Sequence, residues 1–431
     1  MRQTRNLQWI KAVSCVALSV VATLSCADTI DELIDNAYHT YPSIQSKQMT
    51  QKSAEKEILA AKLGFLPAVS VSSQALHRNY GAYTDVKGSQ TTVAVKQPLL
   101  GGGVYSNFKL AKAKKNQADW LLEETRLDVA IRVINAYATW YGAHKKLAAA
   151  NESVIAHRKL TELISRRMTS GVSTQSDVDQ SNSRLAQARA EEASYRSAEF
   201  SALVTLNQLV GRQLDRTTLL NGVDKQVVLP NDIIAKALSV SPTIHRLQSA
   251  AQVAEQQANV VKSQAYPQVS LQAQRNYGST TANNVEPYTS VGLVVEYSSG
   301  HGFASLARGS ASEDLYRSAL LDVETARRDL VVTINQNVSE YEFAKIRKPV
   351  MEKTVTLTQN VSESYDRLFR VGKKSWLDLL NSVRERTQAL TALADVEATL
   401  LSTGRRLKVY TTPQNTNQDT PTQDVGKDTT Q

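Results

Sequence analysis

The chain has 431 residues, 42% hydrophobic and 21% charged, a balance that can bury a large core and excludes a chain disordered throughout. Its 50 Lys and Arg against 41 Asp and Glu leave a net charge of +9 in mixed-sign stretches, a solvated surface rather than a nucleic-acid footprint. With only two cysteines, Cys15 and Cys26, there is no disulfide framework and no thiolate zinc site.

Residues 1–27 place Arg2, Arg5 and Lys11 ahead of an apolar run from Ala12 to Leu24, followed by small residues at Ser25 and Ala27. This is the layout of a secretory signal peptide, with cleavage expected between Ala27 and Asp28. The run falls short of the ~18 to 20 residues of a spanning helix; a membrane anchor and a lipidated Cys26 are the alternatives. Cleavage removes both cysteines and three basic residues, taking +9 to +6, and puts the mature chain outside the cytoplasm without disulfides. No later segment is apolar enough to span as a helix, so any entry into a membrane is made by strands.

The rest is one pattern written twice. Ala37-Tyr-His-Thr-Tyr-Pro42 recurs as Ala237-Leu-Ser-Val-Ser-Pro242, Pro67-Ala-Val-Ser as Pro267-Gln-Val-Ser, Gly171 and Asp177 as Gly372 and Asp378, always at an offset of 200 or 201. The first copy, 28–211, is expected to hold a helix from Ile30 to Lys62, strands at about 67–80 and 88–99, a long helix over 104–170 and a helix over 174–210. Residues 212–230 read as a linker. The second copy, 231–410, repeats the order: a helix from Asp232 to Lys262, strands at about 267–280 and 286–298, and helices over 303–371 and 375–410. Residues 411–431 lack core-forming residues apart from Val425 and read as a disordered tail. The long helices are interrupted only by Gly142, Gly309 and Pro349. At ~1.5 Å per residue each reaches about 100 Å, and the two shorter helices of a copy can lie end to end beside it.

The strand segments alternate with a period of two. Val69 and Val71, Val93 and Val95, Val269 and Leu271, and Val291, Leu293 and Val295 share apolar faces, opposite Ser70, Ser72, Gln74, Ser270, Gln272 and Gln274. A soluble sheet with one wet face reads the same way. In a membrane the apolar face is lipid-facing, and Tyr80, Tyr83, Tyr277 and Tyr288 suit an interfacial aromatic belt. Lipid tolerates no open sheet edge and barrels need about eight strands or more. Four strands per chain therefore require copies: eight from a dimer or twelve from a trimer.

The signal peptide, the duplicated helix-strand-strand-helix-helix order, the Pro-x-Val starts at Pro67 and Pro267, the Gln97 to Gly103 run QPLLGGG and the Gly-x5-Asp turns resemble the TolC family of outer-membrane channels, over roughly Thr29 to Tyr410. The resemblance implies a mainly α fold with β. Helical hairpins form an α-barrel across the periplasm, and each chain adds four strands to a twelve-stranded barrel of a homotrimer in the outer membrane of a Gram-negative bacterium. It implies a passive duct with no catalysis and no cofactor, in contact with outer-membrane lipid. Its partners would be a periplasmic adaptor (membrane fusion) protein and an inner-membrane ABC transporter, or alternatively a proton-driven pump. The stretch GKKSWLDLLNSVRE, Gly372 to Glu385, is similar to members serving type I secretion of large adhesins. A drug-efflux duct is the nearest alternative, and a soluble periplasmic scaffold the one from another class.

By the same resemblance the hairpin tips at Gly171, Val172, Gly372, Lys373 and Ser375 meet the adaptor, and Asp177, Phe369, Lys374, Asp378 and Asn381 surround a periplasmic gate. Asp177 and Lys374 are expected to link neighbouring hairpins, and Asp378 to line the constriction. Phe369 stands where the family can have a tyrosine, and Asn381 leaves the acidic ring single. From the residues alone, Gly171 and Gly372 end helices, Thr174 and Ser375 cap the next ones, Asp177 and Asp378 are helix-start carboxylates, and Trp376 with Leu379 and Leu380 fill a hairpin core. Gly372-Lys-Lys-Ser375 lacks the upstream glycine of a phosphate loop, Arg367 standing there, and Gly300-His-Gly302 lacks the third glycine of a dinucleotide site. The six histidines form no zinc pair, and no nucleophile meets a base in recognisable order.

Overall fold

A computed structural model describes residues 29–79, 85–101, 103–221, 229–264, 266–278, 287–297 and 304–413. The expected signal peptide with Cys26, together with Tyr80, Tyr83, Gly102, Gly300 to Gly302 and nearly all of the expected tail, lies outside the described residues. Helix α1 (Ile30–Thr40) opens with a capping box. The Thr29 hydroxyl accepts from the Glu32 N–H at 3.3 Å and the Glu32 carboxylate accepts from the Thr29 N–H at 3.1 Å.

The single opening helix expected from Ile30 to Lys62 is in fact two. Proline crowds the backbone of the residue before it out of the helical region. Tyr41 is accordingly extended at φ −74°, ψ 123°, and α2 (Pro42–Leu63) restarts with Pro42 in its first turn. The second copy breaks identically, with Ser241 extended at φ −63°, ψ 115° between α6 (Ile233–Val240) and α7 (Pro242–Ser263).

After α2 come β1 (Ala68–Asn79), β2 (Asp85–Leu100), the 66-residue α3 (Val104–Thr169) and α4 (Gln175–Val210). After α7 come β3 (Gln268–Tyr277), β4 (Tyr288–Glu296), the 67-residue α8 (Ala304–Arg370) and α9 (Trp376–Thr411). Both long helices run unbroken through Gly142, Gly309 and Pro349. Helices α2 and α4 lie along α3, and α7 and α9 lie along α8, while α3 also packs against α7 and α9. The result is a layer four helices wide, ordered α2–α3–α7–α8 next to the sheet and α4–α3–α9–α8 at the far end.

The duplication is visible in the cores. Ala37, Ile134 and Leu206 are buried in one cluster, and their counterparts Ala237, Ile334 and Leu407 in another. The first cluster is larger because the expected linker, 212–230, joins it: a short helix, α5 (Arg216–Asn221), buries Leu219, and Leu214 just ahead of it is buried too. The Tyr137 hydroxyl donates to the Leu219 carbonyl at 2.7 Å, and Arg216 holds the buried Glu199 carboxylate through two hydrogen bonds of 2.8 and 3.0 Å. Residues 212–221 are thus a packed part of the first copy.

The four strands form one antiparallel sheet in the order β1-β2-β3-β4. Register puts Val69, Val95, Ala273 and Val291 in one row and Val71, Val93, Arg275 and Thr289 in the next, with Leu271 opposite Leu293 and Val269 opposite Val295 on the same face. That face is bare: Val69 is 70% exposed and Val291 and Leu293 67% each. The polar face is sheltered along the middle strands, with Ser270 and Asn276 buried, Thr92 donating to Asn276, and Lys96 paired with Glu296 at 2.6 Å, while Ser70, Ser72 and Gln74 on β1 and Ser290 on β4 are exposed. A sheet built for water covers its apolar side; this one leaves valine and leucine bare. Tyr277 lies on the outer face opposite Thr91, but Tyr288 pairs with Asn276 on the polar side, so it does not belong to the outward belt expected for it. A second set of exposed rings, Phe65, Tyr105, Tyr266 and Tyr297, lies where strands meet helices.

Candidate functional site

At the end away from the sheet, both helix hairpins turn with the same chemistry. Gly171 (φ 72°) donates to the Met168 carbonyl and Val172 to the Arg167 carbonyl, both at 2.9 Å; Gly372 (φ 76°) donates to Phe369 at 3.0 Å and Lys373 to Leu368 at 2.8 Å. These paired bonds close the last carbonyls of α3 and α8. A Cβ on either glycine would meet nothing within 4 Å, so the left-handed backbone alone calls for glycine there. Gly171, Val172, Gly372, Lys373 and Ser375 are all exposed at the tips.

The following helices begin with matching capping boxes. The Thr174 hydroxyl accepts from the Asp177 N–H at 3.2 Å while the Asp177 carboxylate accepts from the Thr174 N–H at 2.9 Å; Ser375 and Asp378 do the same at 3.1 and 3.3 Å. The Thr174 N–H, then the Thr174 side chain and last the Trp376 indole, hold the Asp177 carboxyl below the usual carboxylate range. Both aspartates therefore serve as caps, and only their remaining contacts can act between elements.

Those contacts differ between the copies. The Trp376 indole N–H donates to Asp177 Oδ1 at 3.2 Å, tying the second hairpin to the first. Arg167 of the first hairpin lies 4.8 Å over the Phe369 ring of the second. Lys374 does not reach Asp177 within the chain. It sits 3.7 Å from Asp378, in the first turn of α9, and 4.5 Å over the ring of Tyr365, near the end of α8, so the two helices of its own hairpin supply both partners. Phe369 is buried with Leu160, Ile164, Val178, Leu379 and Leu380 in a tip core, where it packs the hairpins together. Trp376, expected only to fill that core, lies half-buried at its edge and carries the polar link; no local pattern signalled this, its partner being 199 residues away. Asn381 is exposed one residue past the core.

Between the hairpins, α3, α8 and α9 line a groove of about 550 Å³ whose walls carry charges of both signs, including Glu152, Lys159, Asp366, Arg370 and Arg386. Arg386 bridges to Glu152 across it at 2.7 Å. On the side between α4 and α9, His157 is buried, and that burial, aided by Arg184, lowers its pKa. Near the waist, burial pushes the Asp31 carboxyl up, but Lys408 and Arg405 together outweigh this and hold it low, pinning α1 to the end of α9.

The family model described as "Outer membrane efflux protein" matches residues 33–212 and 233–411, one match per copy. The alkaline protease secretion protein AprF of Pseudomonas aeruginosa is 23% identical over 348 residues, 77% of this chain and 70% of that protein. The outer membrane efflux protein BepC of Brucella suis is 22% identical over 398 residues, 89% of this chain and 85% of that protein. The fold matches the outer membrane protein VceC of Vibrio cholerae with a TM-score of 0.75 at 16% identity, over 90% of this chain and 97% of that one. With the bare apolar face of its sheet and its paired hairpins, the chain belongs to the outer membrane efflux protein family, the TolC-like passive channels of the outer membrane.

Proposed function

We propose that the chain is the exit duct of a tripartite export system. It works as a homotrimer opened at its hairpin tips by a periplasmic adaptor and an inner-membrane ABC transporter, with a secreted protein such as a large adhesin as cargo. The observation that carries this reading is a monomer with two unfinished edges. Among the described residues β1 and β4 each have one neighbour only, and α8 bares Phe343, Ile346, Val350, Leu357 and Val361 along one helical face. Opposite, α2 bares Met49, Leu59 and Leu63, and α4 bares Phe200 and Val204. Copies placed side by side cover both edges at once, and three copies bring the strands to twelve, the four of one chain taken three times.

Transport through such a duct needs no chemistry, only a path and a gate. The inner face of the strands carries mainly hydroxyls, amides and small side chains, with Tyr288 and Val294 on β4 and with Lys96 and Glu296 neutralising each other. At the tips, the shared core and the Trp376 to Asp177 bond make the two hairpins of one chain a single unit. The groove beside them offers an adaptor helix charges of both signs.

Protein cargo is favoured by the name of AprF, a protease secretion protein, and by the Gly372 to Glu385 stretch. The name of BepC, an outer membrane efflux protein, favours the alternative, an efflux duct, for which a proton-driven pump would be the partner of this chain. Deleting the gene decides between them. Loss of a large protein from the medium or cell surface, with unchanged sensitivity to drugs and detergents, supports secretion; the opposite pattern overturns it.

A further inference from the structure

Between the row of Tyr277 and the helices, the outer face of the sheet carries one charged residue, Arg275; Asp85 and Lys87 share that face but stand nearer the hairpin end, beyond the row of Tyr277. Arg275 follows Val269, Leu271 and Ala273 on β3 and stands in the row of Val71 and Val93, so its side chain leaves the barrel wall on the lipid side. A guanidinium there costs about 2 to 4 kcal/mol at mid-membrane and close to nothing at the interface, which makes its height decisive. Tyr266, in the lower set of exposed rings, and Tyr277, on the outer face near the hairpin end, are eleven positions apart. At ~3.3 Å per residue and a tilt near ~40° that is about 28 Å of height, matching an apolar band ~25 Å tall. Arg275, two positions short of Tyr277, lies about 5 Å inside the outer border.

The side chain solves this by reaching outward. Its guanidinium lies 5.2 Å over the Tyr277 ring, the direction of the headgroups. No carboxylate lies within salt-bridge distance of it among the described residues. Around it the same face turns from valine to hydroxyl: Thr289 is its partner in register, and Ser73 and Thr91, 2.9 Å apart, occupy the row of Tyr277. An exposed, carboxylate-free guanidinium held on a ring among hydroxyl donors, at headgroup depth, fits a phosphate.

We propose that Arg275, with Tyr277 and the hydroxyls of Thr289, Ser73 and Thr91, is a binding site for the phosphate of an anionic lipid in the outer leaflet, one site per chain. The proposal rests on the reading of the sheet as a transmembrane barrel wall.

The test uses the full-length channel reconstituted into phosphatidylcholine vesicles, with and without a tenth part of a phosphate-monoester lipid such as phosphatidic acid. Lipid retained by the detergent-extracted channel is then counted by native mass spectrometry. Wild type is expected to retain the phosphate lipid about tenfold better than Arg275→Gln, with Arg275→Lys in between and phosphatidylcholine retained equally by all. Equal retention by Arg275→Gln and wild type overturns the site. So does loss of the preference when inorganic phosphate alone at matching concentration binds as well, since the ligand is then a free anion. Failure of the wild-type protein to enter vesicles at all overturns the barrel reading and the site with it, and is distinguished by flotation before extraction.

Discussion

At the scale of single residues, the tips show how one side chain acquires a role that its pattern does not announce. Thr174-x-x-Asp177 and Ser375-x-x-Asp378 are legible as capping boxes, and the structure makes them so. Trp376 looks like core filling by helical spacing, yet its N–H crosses to Asp177, and the bond depends on how two hairpins lie together. Trp376→Phe keeps the ring and removes the donor. We expect spontaneous openings in planar bilayers to rise about threefold to tenfold, and an unchanged opening frequency would show that the bond does not hold the tip. Lys374→Gln leaves that bond in place and should change openings less, because Lys374 is occupied with Asp378 and Tyr365. Lowered as it is by its cap, the Asp177 carboxylate contributes above the ordinary carboxylate pKa of ~3.9, and that contribution is lost only as pH falls through the lower folded value.

Elements are set by glycine, proline and buried polar groups, and these separate into positions with and without tertiary demands. Gly372→Ala should cost about 1 to 2 kcal/mol, the price of a left-handed alanine, since nothing lies near its missing Cβ. Gly101→Ala should cost about 2 to 5 kcal/mol, because at φ 79° its Cβ would meet the Pro267 carbonyl oxygen at 2.1 Å, where strand and helix of the two copies touch. Comparing the thermal stability of the two variants checks the order. His157, buried in α3, has a lowered pKa, so its neutral form stabilises the fold above the ordinary value of ~6.5 and that stability declines as pH falls below it. His157→Gln should flatten the stability profile between about pH 6.5 and the carboxylate range; a profile as steep as wild type would assign the loss to other groups. Pro42 and Pro242 carry the signal for the breaks before α2 and α7, yet the helix-forming composition on either side predicts a single run across each of them. Helix α5 was not legible, because six residues carry too little periodicity and its stability comes from Leu219 and the Arg216 to Glu199 bonds.

For the whole molecule, the question is what completes a layer that ends in bare leucine and valine. Replacing Phe343 and Ile346 together by Asp should leave a folded monomer, since both face outward at 64 and 63% exposure, while abolishing the heat-sensitive oligomer on gels. An oligomer that survives would mean that α8 is not the joint. Two partners of opposite kind are called for by the outer surfaces of one chain: lipid on the strands and another protein surface on the helices.

Length, duplication and alternation are local or periodic quantities, so the sequence alone determined two copies, two helices near 100 Å, four alternating strands and the turn chemistry at Gly171 and Gly372. What it left open was which face of the sheet is turned outward and which charges meet, because a period of two is the same for a wet sheet and a barrel wall. The tertiary structure decided both. It sheltered Ser270 and Asn276 while baring Val69 and Leu293, packed Phe369 into the tip, and brought Trp376 to Asp177 from the other half of the chain. Such outcomes depend on how strands and helices far apart in sequence pack together, which no local pattern encodes.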